Sequence, residues 1–177
     1  MQLRQIQARY HEVQDRIVLR FTTDDDCEFA FWFTRRFVRR FWEILMKTLE
    51  HDDPVRRQLD EEARRAVLGM RHEGFIQQGN FSTPFEERPY RRPLGEEPLL
   101  VARADCKVMD RPGHFSLSLR PEQGQGIDLG LDASLLHSIS KLLLDAVARS
   151  DWNLELAVPR ATIEIAQDAT EAPRSVN

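Results

Sequence analysis

The sequence predicts an α+β fold: a tandem repeat of two βββα units, each an antiparallel sheet with a helix packed on one face. Two observations predict it. Apolar residues alternate with period 2 in two separate stretches, and each stretch then switches to the 3.6-residue period of a helix. The stretch from Ile17 to Leu49 also aligns without a gap with the stretch from Phe115 to Val147. Apolar meets apolar at each core position, so the two units are expected to share one core about a pseudo-twofold axis.

In the first unit, residues 1–51, a candidate strand over residues 3–10 precedes Val13-Gln14-Asp15-Arg16. Ile17, Leu19 and Phe21 alternate next, and Asp24, Asp25 and Asp26 supply a turn. Phe29, Phe31 and Phe33 then share one face of a further strand. Thr34 stands at a helix N-cap, before the apolar stripe Phe37, Val38, Phe41, Ile44, Leu45 and Leu49.

Residues 52–76 read as an inserted helix. Asp53-Pro54 is a helix start, with a capping oxygen and a proline in the first turn. Val55, Leu59, Ala66, Val67 and Met70 form a thin apolar stripe among charged residues. Residues 77–98 are rich in proline and glycine but carry Phe81, Phe85 and Tyr90, which predicts an ordered crossover pinned by these aromatics.

The second unit lies within residues 99–166. It repeats the V-x-D-R tetrapeptide as Val108-Met109-Asp110-Arg111. Phe115, Leu117 and Leu119, then Ile127, Leu129 and Leu131, mark its strands. Asp132 replaces Thr34 as the cap, and Leu135, Leu136, Ile139, Leu142, Leu143 and Val147 replace the first stripe. Trp152, Leu154, Leu156 and Val158 alternate as a closing strand would, and residues 161–166 continue the pattern. Residues 167–177 are polar and are expected to be disordered.

The chain has 177 residues, enough to bury a sizeable core. A net charge of −4 argues against a protein wholly devoted to nucleic acid, although a local basic face is compatible with it. Two cysteines, Cys27 and Cys106, are too few for a disulfide framework and read as free thiols. The first twelve residues, MQLRQIQARYHE, lack the apolar core of a signal peptide, and no apolar run has the length of a membrane span. The expected location is cytoplasmic.

No phosphate-binding, dinucleotide-binding, nucleophile-elbow or zinc motif is present, so no catalytic residue, metal ligand or cofactor is assigned. His137 falls on the polar side of its helix and is expected at the surface. Asp24, Asp25 and Asp26 suit a turn better than a cation site, and the acids of His51-Asp52-Asp53 suit a helix cap.

The segment FAFWFTRRFVRRFWEIL (residues 29–45) mixes arginines with aromatics. Counted at 100° per residue from Thr34, the two sets separate. Phe37, Val38, Phe41, Trp42, Ile44 and Leu45 fill one half of the helix, and Arg35, Arg36, Arg39 and Arg40 the other. The counterparts of these arginines in the second unit are Ala133, Ser134, His137 and Ser138, so the fold does not require them. Cations in a first helical turn oppose the helix dipole by roughly 0.3–1 kcal/mol each. They therefore ask for an anion, either within the chain or on a partner.

Two strand-rich units ending in helices, here around Arg40-Phe41-Trp42 and Ser138-Ile139-Ser140, resemble the Whirly and Pur-alpha families in topology. Those families carry tandem ββββα units and bind single-stranded nucleic acid across their sheets. Three strands per unit, rather than four, are visible here. The resemblance implies a strand face that stacks bases, for which Trp32 and Arg20 are the candidates.

The expected function is that of a non-catalytic binding or adaptor protein whose macromolecular partner presents an acidic surface. Arg35, Arg36, Arg39, Arg40, Arg20 and Trp32 are the candidate contacts. A homodimer is compatible with this expectation. Single-stranded nucleic-acid binding is the alternative, and an enzyme with dispersed site residues is a second one.

Overall fold

The computed structural model describes residues 2–160. The chain forms β1 (Leu3–His11), β2 (Arg16–Thr23), β3 (Glu28–Phe33), α1 (Arg35–Glu50), α2 (Asp53–Arg56) and α3 (Glu61–Gln78). It continues as β4 (Leu99–Val108), β5 (His114–Pro121), β6 (Ile127–Asp132) and α4 (Ala133–Ala148). The architecture is α+β, with one six-stranded sheet in the order β1-β2-β3-β4-β5-β6.

The sheet is mixed rather than wholly antiparallel. Strands within each half pair antiparallel, but β3 and β4 meet in parallel through Phe31–Leu99 and Trp32–Leu100 alone. Parallel pairing needs a long crossover, and the stretch of helices and loop between β3 and β4 supplies one.

Both expected caps form: Thr34 Oγ1 accepts from Phe37 N at 3.2 Å, and Asp132 Oδ1 accepts from Leu135 N at 2.8 Å. The alternating residues Ile17, Leu19, Phe21, Phe31 and Phe33 are fully buried, as are Phe115, Leu117 and Leu119. Each such side chain contributes roughly 1.5–3 kcal/mol of transfer free energy. Phe33 meets Phe37 and Phe41 edge-on, with ring centroids 4.9 Å and 5.4 Å apart, and so anchors the start of α1. Beyond that anchor α1 packs against β4, while α4 packs against β1 as well as its own β6. Each helix thus covers a strand of the other half.

Two expectations about elements are corrected. The inserted helix is broken: α2 is a single turn, and α3 restarts after Asp60, whose carboxylate accepts from Ala63 N at 2.9 Å. The restart moves the apolar stripe, leaving Leu59 98% and Met70 64% exposed while Leu68 and His72 are buried. Residues 152–160 form no strand, although Trp152 and Val158 are buried and the residues between them alternate. The segment starts at the β1–β2 hairpin, where Trp152 meets the Tyr10 ring edge-on at 5.7 Å and donates to Asp15. It ends against helices: Trp42 Nε1 of α1 donates to Ala157 O at 3.2 Å, and Arg160 crosses α3 at Gly69. The expected continuation over 161–166 and the tail lie outside the described residues. Among the described residues, no helix is long and apolar enough to cross a membrane.

Candidate functional site

The arginine face of α1 is exposed. Arg35, Arg36, Arg39 and Arg40 occupy two successive turns on the side away from the core, and the first turn of α1 contains no acidic residue. Among the described residues, no carboxylate pairs with any of the four. Arg35 lies close enough to the Asp15 carboxyl to act on it. That carboxyl is held below the usual range by hydrogen bonds from Trp152 and Tyr10, with a smaller contribution from Arg35.

Arg20 and Trp32 lie elsewhere. Both project from the sheet face opposite the helices, because they alternate with the buried Leu19, Phe21, Phe31 and Phe33. Arg20 Nε donates to Glu28 Oε1 at 2.6 Å, and its Nη1 and Nη2 donate to the Glu87 carboxylate at 2.6 Å and 2.9 Å. Its guanidinium lies 4.3 Å from the centroid of the Phe85 ring. Arg20 is therefore fully engaged inside the protein, and the hydrogen bonds it donates to Glu87 and Glu28 raise its pKa. Trp32 is half-buried beside the β3–β4 seam, with the His11 ring edge-on at 5.6 Å. The structure thus brings four of the six expected contacts together and separates the other two.

What occupies Arg20 is the crossover, which covers the outer face of the first three strands. Glu28, 4% exposed, receives Arg20 on one side and Arg92 at 3.4 Å on the other. Arg88 pairs with Asp26, Arg91 reaches Asp25 at 3.6 Å, and Glu28 N donates to Arg91 O at 2.8 Å. Of the expected aromatic pins, Phe85 and Tyr90 hold, with Arg88 stacked 4.8 Å from the Tyr90 centroid, whereas Phe81 is 37% exposed. The arginines of the segment do as much as its aromatics. Their clustering in RPYRR was visible in the sequence, but the carboxylates of Asp26, Asp25 and Glu28 that tie them to the sheet lie more than sixty positions away.

His137 corrects another expectation: it is 0% exposed rather than a surface residue. α3 packs over this part of α4, and His137 Nδ1 lies 3.0 Å from His72 Nδ1. Phe75 stacks on the His137 ring with centroids 5.1 Å apart. Burial, with the neighbouring His72 and Arg71, pushes His137 down to about 3, and burial also lowers His72. Asp53, expected as the cap of the inserted helix, is instead the first residue of α2. Asp52 stands at the N-cap position without a side-chain cap bond, is buried, and pairs with Arg71 at 2.6 Å.

The free thiols Cys27 and Cys106 are both pushed up by burial, which disfavours the reactive thiolate. Compared with family models, with curated proteins and with solved structures, the chain gives no match.

Proposed function

We propose that this protein is a non-catalytic binding protein that docks an acidic surface of a partner protein on the α1 face formed by Arg35, Arg36, Arg39 and Arg40. The observation that carries this is the exposed run of cations at the positive end of a helix, with no carboxylate among the described residues in an ion pair with any of them. Arginine suits such a role because its planar fork binds carboxylates in bidentate fashion. The alternative of base stacking across the strands loses support, because the crossover covers the first three strands and takes up Arg20. The unpaired thiols, Cys27 buried and Cys106 half-buried, favour a reducing, cytoplasmic setting.

We also infer that the two halves are a tandem repeat of βββα units. Supporting it are the equal lengths of α1 and α4, of β2 and β5 and of β3 and β6, and the reciprocal packing of α1 on β4 and α4 on β1.

The test is affinity capture from nuclease-treated lysate with the wild type and with R36E/R40E. A protein recovered by the wild type and lost by the variant is the expected result; equal recovery removes the face from the mechanism. Titration with a single-stranded oligonucleotide at low salt is the second arm. Binding there that the same variant abolishes would transfer the face to nucleic acid.

A further inference from the structure

β1 is an edge strand: it pairs with β2 on one side and with no strand on the other. Among the described residues, no backbone group of residues 3–9 bonds to backbone outside the β2 ladder. Alternate N–H and C=O groups along this stretch are therefore presented sideways. They face a groove of about 700 Å³ whose far wall is one stripe of α4, Leu135, Ser138, Leu142, Asp145 and Arg149. The loop over residues 79–85 borders it and is tied to the strand, since Gln5 Nε2 donates to Pro84 O at 3.3 Å.

The charges in the groove are unbalanced. Asp145 is neutralised by Lys141 at 2.5 Å and Arg4 by Glu86 at 2.9 Å. Arg9 and Arg149 are exposed, and among the described residues neither forms an ion pair, although Arg9 lies near enough to Glu87 to act on it. Between them Ile6, Leu135 and Leu142 are only half-buried, so apolar area is left uncovered on the wall.

We propose that this groove binds an extended, acidic peptide segment of a partner protein as a strand added to β1. Its backbone completes the β1 ladder, and alternate apolar side chains cover Leu135 and Leu142. Carboxylates of the opposite alternation reach Arg9 on the outer sheet face, and a terminal carboxylate on the helix side reaches Arg149 at the end of the α4 stripe. At about 3.3 Å per residue, residues 3–9 offer roughly 23 Å, the length of a seven-residue strand. This site is separate from the arginine face of α1, and either can fail without the other.

The test uses the full chain and labelled nonapeptides in fluorescence anisotropy. A peptide alternating valine and glutamate is expected to bind, and R9E/R149E to weaken it at least ten-fold. One of the two alternate N-methylation patterns of that peptide should abolish binding, because it removes the amides that meet β1, and the other should not. R36E/R40E should leave binding unchanged. Absent binding, equal binding of a valine–lysine peptide, or binding that survives both N-methylation patterns overturns the proposal. Should R9E/R149E fail to fold, the N-methylated pair on the wild type decides. Two other outcomes also overturn it: a dimer that R9E/R149E dissociates, which makes a second copy the occupant, or a synthetic 161–177 peptide that binds more tightly than the probe, which makes the chain's own tail the occupant.

Discussion

Nδ1 of His72 and Nδ1 of His137 lie 3.0 Å apart between α3 and α4, and both rings are buried. One ring must donate and the other accept, so the pair exists only while at least one ring is neutral. His137 Nε2 has no partner and is buried, which leaves it least suited to carry a second proton. Arg71, Arg160 and Lys141 act on the same side, opposed by Glu73.

A pH dependence follows. The unfolded chain protonates its histidines near 6.5, whereas the folded chain withholds the proton from His137 down to about 3. The unfolded state therefore binds more protons in that window, and the contribution is complete above pH 6.5 and lost as pH falls. His137 alone should lower stability by about 2 kcal/mol between pH 7.5 and pH 5. Urea midpoints of the wild type and of His137→Leu at both pH values check it. Equal losses in the two proteins would show that the pair is not responsible.

The arginine face makes a stability prediction opposite in sign to the usual effect of substitution. Arg36 sits in the first turn of α1 and four residues before Arg40. Arg36→Glu removes an unfavourable dipole contact and replaces a like-charge i,i+4 pair with an attractive one. It should stabilise the fold by about 1 kcal/mol. A rise in urea midpoint is expected; a fall would reveal an internal anion that Arg36 serves.

On the outer sheet face, Glu28 depends on two guanidinium groups, those of Arg20 and Arg92. Removing Arg20 leaves the buried Glu28 carboxylate with only the longer contact from Arg92 at 3.4 Å, so Arg20→Met should cost about 2–3 kcal/mol. Arg20→Met with Glu28→Met should cost less than the two single changes added together. Trypsin should also cut the crossover faster in Arg20→Met, because Glu87 and Phe85 lose their hold on the sheet. Unchanged cleavage would mean that Arg20 does not anchor the segment.

The β5–β6 turn separates two glycines that look alike in sequence. A Cβ at Gly126 would lie 2.0 Å from Leu119 O, while Gly124 adopts φ +87° with open space around it. Gly126→Ala must push the strands apart and should cost about 2 kcal/mol or more. Gly124→Asn should be tolerated, since asparagine enters the left-handed region at small cost. Thermal denaturation of both variants checks the contrast.

Much of the fold was legible because local chemistry decided it. Alternation placed Ile17, Leu19 and Phe21 inside, and Thr34 and Asp132 marked the helix starts. Features that depend on distant neighbours were not legible. His137 looked polar-facing until α3 was laid over it, and the anions for Arg20 and Arg92 meet them only once the crossover folds back. Trp152 and Val158 alternate whether they face strands or helices, because burial sets the period and hydrogen bonding sets the element. The grouping of Arg35, Arg36, Arg39 and Arg40 needed only helical geometry, and it alone of the expected contacts was readable as a surface.

The exchange of helices between halves bears on synthesis. When residues 1–60 emerge from the ribosome, the strand that α1 will cover has not yet been made, and neither has the helix that will cover β1. The leading half therefore waits with apolar surface uncovered until the trailing half arrives. Native contacts then close across most of the chain length, which makes for slow, late folding and a natural claim on chaperones. The same reciprocity offers an assembly route: two separately expressed halves should be unfolded alone and form the native core only when mixed.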